Sequence, residues 1–210
     1  MLPPLPSLLL FLLAAFLLTL TPGPDMLFVF ARSVGQGRAV GVSSALGVAV
    51  GSLLQAGLVA LGLSSVLVAV PLAYEVIKDA GAIYLVYLGI RTFLSHEQAL
   101  SGSSSQERRR WRVFAQGMVT NVLNPKVALF YLAFLPQFVD PTYGHVPLRL
   151  FLLGVLFNVL EIAVNVTVAV LASLLALWLK RQQKVSTILR WITGSVFLGL
   201  GVRLAFLKQR

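Results

Sequence analysis

The sequence predicts an all-α integral membrane protein of six transmembrane helices, built as a 3+3 inverted repeat with a discontinuous first helix in each half. Three observations predict it. The chain is 58% hydrophobic and only 11% charged, whereas soluble domains are roughly 45–50% apolar and about 25% charged. Its apolar runs exceed the ~20 residues that a helix needs to cross ~30 Å of hydrocarbon. Two of those runs are interrupted by proline beside a charged residue, at Thr21-Pro22-Gly23-Pro24-Asp25 and at Asn124-Pro125-Lys126.

The first span is expected over 7–31. No Lys or Arg precedes Arg32 and Thr-Pro-Gly-Pro makes a poor cleavage site, so it reads as a retained helix rather than a signal peptide. The second is expected over 40–70, with Ser43, Gly47, Gly51 and Gln55 each four apart. Small residues at that spacing let helices approach closely; Ser52 and Gln55 are candidate lining groups there. Pro71 turns the chain into a third span over 74–94, with Lys78 and Asp79 at the interface and Arg91 snorkelling. A polar stretch over 95–112 holds Ser101-Gly102-Ser103-Ser104-Ser105 and then Arg108-Arg109-Arg110. It reads as a flexible, basic cytoplasmic linker. Three further spans are expected over 114–139, 147–179 and 187–207. Residues 1–210 thus form one membrane transport domain, with 1–94 and 113–210 as its two halves.

The formal charge of +10 would suit nucleic acid, but the basic residues sit in short loops between apolar segments. There they orient helices and meet anionic headgroups. The first, third and fifth connections carry eleven Lys and Arg, the other side five. The richer side is expected in the cytoplasm, with both termini periplasmic. Trp111, Trp178 and Trp191 each flank one of those basic loops, as aromatic belt residues do. Cysteine is absent, and His96 and His145 fall in loops without forming a ligand cluster. No metal or cofactor is expected, and catalytic metal chemistry has almost nothing to work with.

With three spans per half, the second half enters the membrane opposite to the first. Pro24-Asp25-Met26-Leu27-Phe28 and Pro125-Lys126-Val127-Ala128-Leu129-Phe130 occupy corresponding helices. Gly81-Ala82-Ile83-Tyr84 with Leu88-Gly89-Ile90-Arg91 closes one half; Gly194-Ser195-Val196-Phe197 with Leu200-Gly201-Val202-Arg203 closes the other. This matches an inverted-topology repeat, in which interrupted helices at corresponding places point to the binding site.

At the first break, Pro22 and Pro24 remove backbone donors and disfavour helix before them, and Gly23 loosens the chain. The freed carbonyls need partners that lipid does not supply. Helix resuming at Asp25 presents a partial positive end suited to an anionic group, which Asp25 itself is placed to cap. The alternative is a kink with a capping aspartate and no ligand. At the second break, Pro125 cannot donate to the carbonyl of Asn121. Thr120, Asn121 and Asn124 share a face by i, i+3, i+4 spacing. Lys126 has three readings: neutralising Asp25, holding a substrate carboxylate, or anchoring at the interface. The fifth span carries Asn158, Glu161 and Asn165 on an otherwise apolar helix. A carboxylate in mid-span is costly unless paired or protonated, so a proton carrier and a structural hydrogen bond are both open there.

These residues give the chain a resemblance. Thr21-Pro22-Gly23-Pro24-Asp25, the stretch from Asn121 to Leu135, the Phe-Leu-Pro-Gln-Phe-Val that begins at Phe134, and the two Leu-Gly-x-Arg ends resemble the lysine-exporter and homoserine/threonine-resistance superfamily (LysE/RhtB) over essentially the whole length. The resemblance implies a bacterial inner-membrane exporter of amino acids or small derivatives, driven by the proton motive force. Its proline motifs fall in the discontinuous first helix of each half.

The resulting expectation is a proton-coupled carrier that binds an amino acid between two three-helix halves and alternates access about Pro24 and Pro125. Candidate substrate-binding or coupling residues are Thr21, Pro22, Gly23, Pro24, Asp25, Ser52, Gln55, Asn121, Asn124, Pro125, Lys126, Asn158, Glu161 and Asn165. The small-residue faces also permit a homodimer. The rival readings are a small-metabolite channel, a non-transporting assembly subunit and, least supported, a membrane enzyme.

Overall fold

A computed structural model describes residues 3–62, 103–140, 142 and 144–179, with separate positions between 79 and 90 and between 191 and 202. The described residues are helical almost throughout. Most of the third and sixth spans, and with them the paired glycine signatures, lie outside the described residues.

The expected first span is two helices, α1 (Leu5–Leu20) and α2 (Pro24–Gln36), bent by 49° at the break between them. α1 begins with proline in its first turn, where a missing N–H leaves no helical bond unmade. It buries Phe11, Ala15 and Thr19, one residue every four, and exposes Leu9, Leu10, Leu13, Phe16 and Leu17. A leucine-rich outer face is what lipid tails accept.

Gly37 alone joins α2 to α3 (Arg38–Ala60). Its φ of 87° is a left-handed geometry that glycine adopts without a Cβ penalty. α3 is about 35 Å long at roughly 1.5 Å per residue, enough to cross hydrocarbon. Its leucines face outward (Leu46, Leu54, Leu58), while Gly47, Gly51, Ser44, Ser52 and Gln55 are buried. The pattern is small and polar inside, large and apolar outside, as close helix packing in lipid requires. The expected second span was longer, over 40–70. The helix instead ends at Ala60, where Leu61 closes the last turn and Gly62 takes a φ of 76°.

The next described helix is α4 (Ser103–Val122). Residues 103–112 were expected as flexible linker, and the structure corrects this: the basic run is helical. Gln106, Glu107 and the arginines are good helix formers uninterrupted by Gly or Pro, and Arg108, Arg109, Arg110 and Arg112 remain exposed. At the far end α4 breaks and bends by 46° into α5. α5 runs over Pro125–Leu129, widens into a π turn at Phe130–Phe134 and tightens into a 3₁₀ turn at Leu135–Phe138. The expected fourth span, 114–139, is therefore also a broken pair. In the connection that follows, the hydroxyl and N–H of Thr142 donate to Asp140 and hold its exposed carboxyl below the usual carboxylate range. α6 (Val146–Leu179) then runs unbroken for 34 residues, agreeing with the expected fifth span.

α3 lies at the centre, packed along both α4 and α6, and α2 lies against α3 and α6. The α3–α4 seam is tight because of two glycines. A Cβ at Gly47 would run into the Phe114 carbonyl, and one at Gly117 into the Ser44 carbonyl. An apolar cluster joins α1, α3, α5 and α6 through Phe11, Val59, Tyr131 and Phe157, with the Phe130 and Phe157 rings 4.7 Å apart. The seam and this cluster hold the two broken spans against one another.

Candidate transport site

The two proline breaks meet. Asp25, in the first turn of α2, is buried at 4% exposure. It does not cap its own helix, as expected from the sequence; Gly23 occupies the N-cap with no side-chain hydrogen bond there. Its Oδ2 instead accepts from the side-chain amides of Asn124 and Asn121 across the break, the latter at 3.1 Å. Asn124 works in both directions, because its Oδ1 accepts from the backbone N–H of Lys126 at 3.0 Å and caps α5.

Lys126 interacts electrostatically with Asp25, but its hydrogen bonds go to backbone. Its ammonium donates to the backbone oxygens of Leu18 at 3.0 Å and Thr21 at 2.8 Å. Leu18 is the residue whose carbonyl Pro22 leaves without an i+4 donor. Lys126 also lies over Gly23, where a Cβ would stand 3.1 Å from its Nζ. Gln55 plays the corresponding part at the second break. Its Nε2 donates to the oxygens of Asn121 at 2.7 Å and Val122 at 3.1 Å; Asn121 O, which Pro125 leaves without its i+4 donor, also accepts from the Asn124 N–H at 2.8 Å. Each break is thus closed by a side chain from a different helix.

Asn121 also reaches α6, its Nδ2 lying 3.4 Å from Glu161 Oε1, so one amide stands between two buried carboxylates. Asp25 Oδ1, Glu161 Oε2, Asn121 Oδ1, Gln55 Oε1 and Asn165 Oδ1 are buried with no hydrogen-bond partner among the described residues. Asn165 is one turn from Glu161 on the same face of α6.

Other candidates fall outside this group. Asn158 donates to Ala49 O at 2.8 Å, a bond between α6 and α3. The Thr21 and Thr120 hydroxyls return to Leu17 O and Gln116 O on their own helices. Ser52 meets Tyr131, hydroxyl to hydroxyl, at 2.9 Å. Sequence reasoning passed over Tyr131, which is fully buried in the π turn of α5, a geometry frequent at functional sites. The signal available was a lone phenol in an apolar run five residues after Lys126. At the end of the molecule carrying the basic residues, Arg32 donates to Gln116 at 3.0 Å and Arg109 to Gln36 O at 3.3 Å. These bonds tie α2 to α4.

The family model for LysE type translocators matches residues 16–208, and so takes in both breaks and every helix of the site. The chain belongs to that family. LysE-type translocators are transporters, so this chain is a multi-pass membrane transporter rather than an enzyme. It is 32% identical over 201 residues to an uncharacterized membrane protein of Pseudomonas aeruginosa, covering 93% of each chain. It is 26% identical over 200 residues to the leucine efflux proteins of Salmonella typhimurium and Salmonella typhi, covering 95% of this chain and 94% of theirs. No solved structure matches the chain.

Proposed function

We propose that this LysE-type translocator exports amino acids or small amino-acid derivatives across the bacterial inner membrane, coupled to proton entry. It alternates access between two inverted three-helix halves, 1–94 and 113–210, joined through the basic stretch 95–112, with both termini periplasmic. Anionic headgroups meet its basic loops, and the small-residue faces allow a homodimer. The observation that carries the reading is the meeting of the two proline breaks around Asp25, Asn121 and Glu161. Broken helices at membrane depth persist where they line a site, and they are the usual place of substrate and coupling-ion binding in such carriers.

In this reading the substrate binds beside Asp25, and Glu161 or Asp25 carries the coupling proton. Asn121 and Asn124 respond to the state of Asp25, and Lys126 and Gln55 hold the breaks on which the halves rock. The 26% identity to leucine efflux proteins makes leucine and similar neutral amino acids the first substrates to test.

The test is efflux from cells loaded with individual amino acids as dipeptides, comparing the intact chain with a well-inserted Asp25→Asn variant. Faster release of one or a few amino acids, lost in the variant, is the expected result. Release that rises without saturation and ignores the proton gradient would make the protein a channel. No difference for any amino acid at matched abundance would remove the export reading.

A further inference from the structure

We propose that the buried oxygens of Asp25, Asn121, Glu161 and Asn165 form a cation site, and that the cation it takes is the primary ammonium of the exported molecule. The proposal rests on the export reading and says which end of the substrate is recognised.

The cluster is deficient in donors, not merely acidic. Asp25 on α2 and Glu161 on α6 are bridged by the single amide of Asn121 from α4, at 3.1 and 3.4 Å. Each carboxylate keeps a second oxygen with no partner among the described residues, and so do the amide oxygens of Asn121 and Asn165. None of the four residues is more than 5% exposed. Most of the neighbouring donors among the described residues have other partners. The Asn124 amide goes to Asp25 Oδ2, Lys126 directs two of its three donors to Leu18 O and Thr21 O, and Gln55 goes to Asn121 O and Val122 O. The Tyr131 hydroxyl lies against Gly154 O and Ser52, and the Ser52 hydroxyl stands between Tyr131 and Glu161. Asn158 is held by Ala49.

Buried acceptors are matched in nearly all folded proteins, and an unmatched one is expensive, more so when charged. A substrate carboxylate would add acceptors and negative charge where both are already in excess. An ammonium brings three N–H donors and one positive charge. Lys126 acts on both carboxylates through space but hydrogen-bonds to Leu18 O and Thr21 O, so the unpartnered oxygens are left for such a group. A desolvated alkali-metal ion would satisfy the same oxygens by the same electrostatics, so the experiment separates the two sources.

The full-length chain, purified in lipid nanodiscs, is titrated with leucine, with leucinamide (ammonium kept, carboxylate charge removed) and with N-acetyl-leucine (the reverse). Sodium chloride is titrated separately against choline chloride. If the efflux assay names another amino acid, its amide and N-acetyl forms replace these. Leucine and leucinamide are expected to bind within about 10-fold of each other. N-acetyl-leucine is expected to be weaker by more than about 100-fold, since a site built to hydrogen-bond a group strongly rejects its absence. The near-isosteric Asp25→Asn and Glu161→Gln variants, checked for monodisperse folding, should each weaken leucinamide by at least about 10-fold.

N-acetyl-leucine binding as tightly as leucine would overturn the cation site and leave export standing. Sodium binding that is lost in Asp25→Asn, with no response to leucine or leucinamide, would overturn the ammonium assignment in favour of a metal ion. Binding of neither sodium nor any amine would remove the site altogether. Leucinamide binding in a protein that exports no amino acid would instead uphold the site and remove the export reading.

Discussion

The ammonium of Lys126 lies 3.0 Å from the carbonyl oxygen of Leu18, the acceptor that Pro22 leaves without its helical N–H. The Thr21 N–H reaches the same oxygen at 3.1 Å, and a cation from the second proline break adds a second donor to the backbone of the first. A Cβ at Gly23 would stand 3.1 Å from the Lys126 Nζ, so the lysine chain would have to shift by a few tenths of an ångström.

Lys126→Met should therefore act through the break. It removes the donor to Thr21 O and one of the two donors to Leu18 O, a loss of about 0.5–1.5 kcal/mol for each hydrogen bond. Thermal unfolding of the purified protein should fall accordingly, and export should fall in maximal rate more than in apparent affinity. Lys126→Arg keeps the donors and should restore most of the stability. A variant with unchanged stability and a raised half-saturating concentration would make Lys126 a substrate ligand instead.

Gln55 offers a sharper chemical contrast. Gln55→Leu removes the donor to Val122 O and weakens the hold on Asn121 O, again about 1–3 kcal/mol. Gln55→Glu puts an acceptor where two acceptors already face it and should destabilise at least as much, although it is the closer isostere. If the glutamate variant matched the native protein in thermal unfolding, Gln55 would not be closing the break.

Close approach at the α3–α4 seam predicts that Gly47→Val lowers the amount of folded protein recovered from membranes severely. Overpacking costs about 1–3 kcal/mol, and here the obstacle is the Phe114 backbone rather than a movable side chain. Gly35→Ala is the control. Nothing lies within 4 Å of its Cβ position, so it should be neutral or gain up to about 1 kcal/mol in helix propensity.

Tyr131→Phe keeps the packing of the π turn and deletes one hydroxyl. It removes the contacts to Ser52 at 2.9 Å and to Gly154 O at 3.3 Å, a loss of about 0.5–1.5 kcal/mol for each hydrogen bond. Export measured at saturating substrate should drop by a factor of a few. A native rate together with native stability would show that the Ser52–Tyr131 pair is idle.

Much of the site was legible in the sequence because it rests on rules of local chemistry. Pro22, Pro24 and Pro125 lack an N–H and crowd the preceding turn wherever they stand, so both breaks could be read directly. Asn121, Asn124 and Glu161 drew notice because polar groups in apolar runs need partners, and all three reach the Asp25 cluster. Asn158 carried the same signal and has a different use, a bond to Ala49 O. An isolated amide looks the same in sequence whether it answers a backbone carbonyl or a ligand. Tyr131 was missed for the opposite reason, since its ring belongs to the apolar pattern and only its hydroxyl does not. The helical run over 103–112 was obscured by the serines with which it begins, whose loop composition masked good helix formers further on.

The sequence by itself determined that this chain crosses a membrane, that two of its spans are broken, and that each break takes the i+4 donor from a carbonyl. Those follow from residue chemistry within a few positions of the chain. Only the tertiary structure decided which side chain answers each acceptor. Gln55 lies 66 residues from Asn121, and Lys126 lies 108 from Leu18. A hydrogen bond is settled by an approach within about 3 Å. Across such separations that approach depends on how α3 and α5 pack against the broken helices.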